Sequence, residues 1–332
     1  MCFLYVIRHG AVLGISGGLL TVRYPDASEE SVPKNLIEGI SIYARVVLTT
    51  QCIEFCLSNN IRVGFFSSSG TYKGCLSPIE NCNTSRLRKQ IELSDDAEFS
   101  LQLSKRIVCA KIINQSVIIR RHSQSKEDSY QCVHAMHRIA KQKIPAAQTI
   151  NQIIGYEGIA SRRYFDWISQ HIDAEFAFDK RNRRPAKDPF NRMINYGYSL
   201  LHKEIYGEIE NRQLNPFIGF IHRDKVGHAS LASDLIEEWR AVIVDSTVLS
   251  IIQRHEIRLD DFVMENGKCI MSKDALKVLI TKLEQKMETK MSYLKYVNKP
   301  VTFREALWHQ ADRLSRVIDG SVPERYVPII IR

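Results

Sequence analysis

Two hydrophobic periodicities divide this sequence, and the place where one gives way to the other constrains the fold more than any other feature. From residue 1 to about 82 the apolar residues fall in short β-rich runs, FLYVIRHG, AVLGISGG and LLTVRYP, broken by glycine pairs and a proline. IEGISIYARVVLTT continues the pattern with recurring β-branched residues. QCIEFCLSNN reads as one short helix closed by Asn59-Asn60, and IRVGFFSSSG returns to strand. Short strands with a single helix suit a small β-sandwich.

The composition turns polar from Ser77 to Asp96, and residues 83–96 read as a linker. From Asp95 onward the period is helical. Asp95 with Glu98 fits a capping box, and FSLQLSKRIVCAKIINQSVIIRR follows as an amphipathic helix. Its basic face, Lys105, Arg106, Lys111, Arg120 and Arg121, suits either phosphates or solvent. Helix then runs nearly unbroken through KDALKVLITKLEQKMETKM and FREALWHQADRLSRVIDG, ending at Gly320 before the tail SVPERYVPIIIR. The expected architecture is α+β: a β-sandwich domain over 1–82 and a larger all-α domain over 97–332.

With 332 residues and 44% hydrophobic content, both domains can bury a full core. No apolar run approaches the ~20 residues of a membrane span. The N-terminus lacks the basic start and cleavage site of a signal peptide, and the eight cysteines show no paired spacing, so reducing cytoplasm is the expected compartment. The net charge of +9 points to a polyanionic partner. No chemistry is legible in the N-terminal domain, where Cys2 and His9 read as packing or strand-end residues.

Three stretches of the helical part carry candidate chemistry. In PFIGFIHRDKVGHASLASDLIEEWRAVIVD an apolar run ends on His222, a polar loop follows, and helical spacing begins near Ser230. Asp234 and Glu237 lie three apart there, about one helical turn. Clustered acids beside a histidine suit a divalent ion, and an oxygen-rich set favours Mg or Mn over Zn. Taken alone, the stretch suits a solvated helix face somewhat better.

The second stretch, NQIIGYEGIASRRYF, sets Glu157 between Gly155 and Gly158 on a helix. Each glycine costs about 1 kcal/mol of helix propensity relative to alanine, which suggests close approach of another backbone or a bulky ligand. Ser161 and Tyr164 share the Glu157 face, with Arg162 and Arg163 beside it. That arrangement suits a metal-plus-phosphate site, or equally a surface glutamate paired with arginine.

The third, FDKRNRRPAKDPFNRMINYGY, crowds Lys180, Arg181, Arg183, Arg184, Lys187 and Arg192 around two prolines. So many like charges repel one another unless an anion is near, which favours a loop that wraps a phosphate backbone. Tyr196 and Tyr198 offer stacking faces just beyond it.

In their order and spacing GYEGIASRRYF, RNRRPAKDPFNRMINYGYSLL and GFIH with SLASDLIEEWRAVIVD resemble the CRISPR-associated protein one family, the integrases that insert new spacers into a CRISPR array. The resemblance runs the length of the chain and implies a β-sandwich followed by an α-helical catalytic domain. It implies a Mg2+ or Mn2+ site on Glu157, His222 and Glu237, with Asp234 as a second acid of the same motif that is either a ligand or a neighbour of one. It implies metal-dependent strand transfer, in which the 3′-hydroxyl of a captured DNA fragment attacks a phosphodiester at the end of a repeat. DNA endonuclease activity and removal of branched insertions follow as side reactions. Arg162, Arg163, Tyr164, Arg181, Arg183, Arg184, Lys187, Arg192 and Tyr198 are the expected DNA contacts, with His228 a further phosphate contact.

The implied partners are double-stranded DNA, the small CRISPR-associated protein two, and a second copy of the chain in a homodimer. A catalytically inactive DNA-binding scaffold of the same fold is the rival reading, against which the filled acid and histidine positions count. A stand-alone structure-selective endonuclease is a third.

Overall fold

A computed structural model describes residues 2–67, 72–76, 83–182, 185–222 and 226–332. The chain forms two compact units, Met1–Cys82 and Asn83–Arg332.

The first unit is a sandwich of two four-stranded sheets. One is built from β1 (Cys2–Val6), β5 (Ile37–Ile42), β7 (Arg62–Phe66) and β8 (Tyr72–Leu76), in that order, with β8 antiparallel to β7 and the other pairs parallel. The other runs β4 (Glu29–Val32), β3 (Leu19–Arg23), β2 (Val12–Ser16), β6 (Val47–Leu48). Leu13, Leu20 and Val22 of the second sheet pack with Ile40, Ile42 and Val63 of the first. Helix α1 (Thr50–Ser58) adds Cys52 and Cys56 to the same core from one face, since side chains four apart on a helix align.

The second unit opens on helix where a linker was expected. Residues 83–96 contain α2 (Thr84–Asp95), whose polar sequence conceals two buried anchors, Gln90 and Leu93. The Gln90 amide donates to the carbonyls of Asn215 and Ile218 at 2.9 Å each and accepts from the Asn215 N–H at 2.8 Å. A glutamine satisfied this completely is a core residue, although its composition reads as solvent-facing.

Helix α3 (Ala97–His122) is capped by Asp96 rather than Asp95, its carboxylate accepting from the Glu98 and Phe99 amides at 2.9 and 3.0 Å. It is also not simply amphipathic. Sixteen of its residues are buried, because α3 is an axis with neighbours on several sides. Of the expected basic face Lys111 is buried outright, and Arg106 and Arg121 donate to carbonyls of the C-terminal tail. Packed around it are α4 (Lys126–Arg138), a π-helical segment over Ile139–Lys143, the single turn α5 (Ile144–Ala146) and α6 (Ile150–His171).

Helix α7 (Pro189–Asn211) begins on its proline, whose missing N–H costs nothing at a first helical position. The run from Ser230 is helical but not one α-helix. It passes through α8 (Ser230–Leu235), a 3-10 turn at Ile236–Glu238, a π-helical stretch at Arg240–Asp245, and α9 (Ser246–Gln253). The helical continuity expected beyond it is broken by two small antiparallel ribbons. These are β9 (Phe262–Glu265) with β10 (Lys268–Met271), and β11 (Lys290–Met291) with β12 (Val301–Thr302). Helices α10 (Lys273–Met287) and α11 (Phe303–Gly320) complete the unit, α11 stopping at Gly320 as expected. Among the described residues no helix is long and apolar enough to cross a membrane.

Candidate active site

Three separate elements bring charged side chains to one spot. Lys111 lies midway along α3, Glu157 on the inner half of α6, and Glu237 on the 3-10 turn after α8. The Lys111 ammonium pairs with Glu157 Oε1 and stands 2.6 Å from Glu237 Oε2. Ser161, one turn along α6, donates to Glu157 Oε1 at 2.7 Å, as the shared helical face predicts. Arg240 Nε sits 3.2 Å from Glu237 Oε1. Glu237 Oε2 and Arg240 Nε are buried and have these charge partners, but no well-aligned hydrogen bond.

The electrostatics follow from burial opposed by charge. Burial pushes the Glu237 carboxyl up, and Arg240 and Lys111 outweigh it, bringing it down to about 2. Burial also raises Glu157, and Lys111 again more than offsets it. Lys111 itself is lowered by burial and raised by more than that by Glu237 and Glu157. All three groups are therefore charged, and the two carboxylates share one cation.

His222 ends the apolar run in irregular backbone. It follows a non-helical segment, 216–221, that wraps the carboxylate of Asp234. Asp234 Oδ2 accepts from the amides of Phe220 and Ile221 at 2.7 and 3.0 Å, and Oδ1 from the His222 amide at 3.1 Å. His222 Nδ1 lies 2.7 Å from Oδ1. The segment closes this tightly because position 219 has no side chain, since a Cβ there would stand 2.8 Å from both Asp234 Oδ2 and Ser230 Cβ. The hydrogen bond to Asp234 raises His222 above the usual imidazole range against the effect of its burial. In the neutral ring the hydrogen then sits on Nδ1, leaving the lone pair on Nε2. Asp234 and Glu237 thus have different partners: Asp234 holds the histidine loop, and Glu237 faces Lys111.

Behind the carboxylates lies a second buried group absent from the expected set. Asp245 accepts from Tyr164 at 3.0 Å and from Tyr198 at 2.6 Å. Helix α7 crosses the π-helical stretch closely enough to allow this because of Gly197, where a Cβ would stand 2.5 Å from Val244. Burial pushes Asp245 up to about 6, in spite of the two phenols and of Arg181 and Arg240.

The site opens into a cleft of about 350 Å³. Arg162, Lys180, Arg181, Arg240 and Lys111 line it against the acids Glu157, Asp166 and Glu237, with Phe165 and Tyr198 as its aromatic walls.

Several expected DNA contacts are placed otherwise. Tyr164 is fully buried, its hydroxyl spent on Asp245, because the helical face it shares with Glu157 turns into the core one turn further on. Arg192 is buried over the Tyr196 ring, and Tyr196 is itself fully buried. Tyr198 is also buried, presenting its ring rather than its hydroxyl to the cleft, stacked under Arg240 at 4.6 Å and Arg181 at 5.4 Å. Arg181 is folded back onto Asn191 and Asn195 at 2.5 and 2.6 Å, so the crowding of positive charge in this loop is relieved partly from within. Arg162, Arg163 and Lys187 are exposed, and Arg162 alone of these reaches the cleft. Arg183 and Arg184 lie outside the described residues. His228 stands beside the site, its Nε2 3.1 Å from Ser233 Oγ and its ring 6.4 Å from that of His222.

Among the described residues nothing makes the expected close approach at Gly155 and Gly158, since a Cβ at either position would meet nothing within 4 Å. Lys111 and Arg240 are the charged side chains of this cluster least legible in the sequence. The signal for Lys111 was its position in VCAKII, a lysine flanked by apolar residues on both sides.

Of the three expected metal ligands the structure brings two carboxylates, Glu157 and Glu237, to one cation, and it does not gather His222 with them into a single cluster of donors. The cation between the carboxylates is the Lys111 ammonium. Among the described residues no three His, Cys, Asp or Glu side chains stand close enough together to hold a metal ion.

Residues 4–285 match the sequence profile of the family described as CRISPR associated protein Cas1. A CRISPR-associated endonuclease Cas1 from Mycobacterium tuberculosis is 35% identical over 334 residues, covering 100% of this chain and 98% of that protein. Two solved structures share the fold. A chain of a Cas6-RT-Cas1–Cas2 complex superposes with a TM-score of 0.86 at 22% identity, covering all of this chain and 36% of that one. A casposase bound to integration product superposes with a TM-score of 0.84 at 24% identity, covering 97% of this chain and 91% of that one. The chain belongs to the Cas1 family.

Proposed function

We propose that this Cas1-family chain is a spacer-acquisition integrase. It joins the 3′-hydroxyl ends of captured DNA to phosphodiesters of a CRISPR repeat and cuts DNA when water replaces the hydroxyl. One observation carries the reading: Glu157 and Glu237, from helices far apart in sequence, converge on one cation at the floor of an open cleft that holds more basic than acidic side chains.

Strand transfer forms one phosphorus–oxygen bond as another breaks, so positioning and charge carry most of the catalysis. A Mg2+ or Mn2+ ion held by Glu157 and Glu237, with His222 Nε2 as the third donor that the resemblance implies, would polarise the attacked phosphate and stabilise the departing oxygen. Asp234 fixes the His222 ring and, in the neutral imidazole, holds the hydrogen on Nδ1 so that the lone pair is on Nε2, which makes it a positioning residue rather than a ligand. Arg162 and Lys180 meet the phosphates from the cleft wall, and the Tyr198 ring with its stacked guanidiniums supports the floor. Tyr164 is no nucleophile, being buried against Asp245.

The Cas6-RT-Cas1–Cas2 complex and the casposase bound to integration product support a Cas2 protein and DNA as partners, and the family resemblance supports double-stranded DNA and a homodimer. The decisive assay supplies the chain with Cas2, fragment, repeat DNA and Mg2+ or Mn2+. Joined products are expected, and Glu157→Ala or His222→Ala should abolish them while DNA binding persists. Equal joining by the substituted proteins would overturn the assignment.

The scaffold reading has one observation in its favour: a lysine already pairs with both carboxylates. It requires that no joined product form with any divalent ion.

A further inference from the structure

The Lys111 ammonium sits between the two carboxylates that the proposed function assigns to a metal. It is no surface lysine that happens to lean in, since the residue is 7% exposed and its stem runs among buried residues of α3. A buried pair of carboxylates repels itself strongly unless a cation answers it. An ammonium is compact, monovalent and carried on a flexible four-carbon stem, so it can answer both carboxylates, with Arg240 on Glu237 completing the charge balance, and still leave. The way out is present, because Lys111 is itself part of the cleft lining.

We propose that Lys111 is a resident counter-ion of the active site, holding Glu157 and Glu237 together without metal and giving up its place when a divalent ion binds. This rests on the reading of the two glutamates as metal ligands. It assigns Lys111 two effects of opposite sign: it stabilises the metal-free protein, and it weakens metal binding by occupying the position and by charge repulsion. The displaced ammonium points into the cleft, where the substrate phosphates lie, so metal loading and phosphate capture become one movement.

The test compares the full-length protein with Lys111→Met, which keeps the stem length and loses the charge. In chelator, Lys111→Met should melt several degrees lower, and adding Glu157→Gln to it should restore most of the loss, since Glu237 keeps Arg240 and Glu157 is the carboxylate left without a cation. Titrated with Mn2+ and followed by the electron paramagnetic resonance of the free ion, Lys111→Met should bind at least about tenfold more tightly than the unsubstituted protein. A third measurement uses the unsubstituted protein alone: acylation of Lys111 by an amine-reactive reagent, read by mass spectrometry, should rise several-fold when Mn2+ is added.

Equal or weaker Mn2+ binding by Lys111→Met overturns the proposal, as does acylation of Lys111 that Mn2+ leaves unchanged. If neither protein binds Mn2+, the ligand assignment itself falls and the inference with it. That result is distinguishable, because the chelator melts would still report the Lys111 charge pair.

Discussion

His222 Nδ1 lies 2.7 Å from Asp234 Oδ1, and the same carboxylate accepts the backbone N–H groups of residues 220, 221 and 222. One fully buried acid therefore both shapes the loop that carries the histidine and selects its tautomer. Asp234→Asn removes the charge and sets an N–H donor against backbone donors. Strand transfer should fall by about 10- to 100-fold, and Mn2+ affinity should weaken with it. If the substituted protein bound Mn2+ and joined DNA normally, the positioning role of Asp234 would be wrong.

Gly219 reports on the same loop by steric means. An added methyl would stand 2.8 Å from Asp234 Oδ2 and 2.9 Å from the Ser230 carbonyl carbon. Gly219→Ala should lower stability by about 1–3 kcal/mol in urea titrations and reduce strand transfer, with DNA affinity unchanged. Unaltered stability would mean that the segment is not tight.

The cleft wall and the core should respond differently to substitution. Arg162→Ala and Lys180→Ala should weaken binding of all DNA sequences alike, each lowering the slope of log affinity against log salt by about 1. Tyr164→Phe should leave DNA affinity and that slope untouched while costing about 1 kcal/mol of stability, since its hydroxyl serves Asp245. Loss of DNA affinity in Tyr164→Phe would contradict its burial.

Asp245 gives the fold a pH dependence. Its carboxyl is pushed up from 3.8 to about 6 by burial, so the folded state holds the proton more tightly than the unfolded chain does. Its contribution to stability is complete below about pH 4 and is lost as pH rises through about 6, a change of about 3 kcal/mol. Asp245→Asn cannot ionise. Its amide oxygen keeps an acceptor for the tyrosines, although its NH2 cannot accept. The difference in unfolding free energy between the two proteins, measured from pH 4 to pH 7, should therefore shift in favour of Asp245→Asn as pH rises. A constant difference would show that Asp245 stays ionised throughout.

Much of this architecture is legible in the amino-acid sequence. The change of period near residue 82 separates strand from helix because side chains alternate along a strand and recur every three to four residues on a helix. That property is local to the chain. The Glu157–Ser161 face, the end of α11 at Gly320 and the two site acids follow from it and from the family resemblance.

What the chain cannot express locally is which side of a helix meets another helix, and there tertiary structure decided. Lys111 and Lys105 are both lysines on α3, and only packing against α6 and the 236–238 turn makes one an internal counter-ion. Tyr164 and Arg192 read as DNA contacts until neighbouring helices bury them. Gln90 turns a polar stretch into a docked helix because its partners lie more than a hundred residues away. Burial of a polar group is possible only where distant residues satisfy it, and pattern along one segment carries no information about those partners.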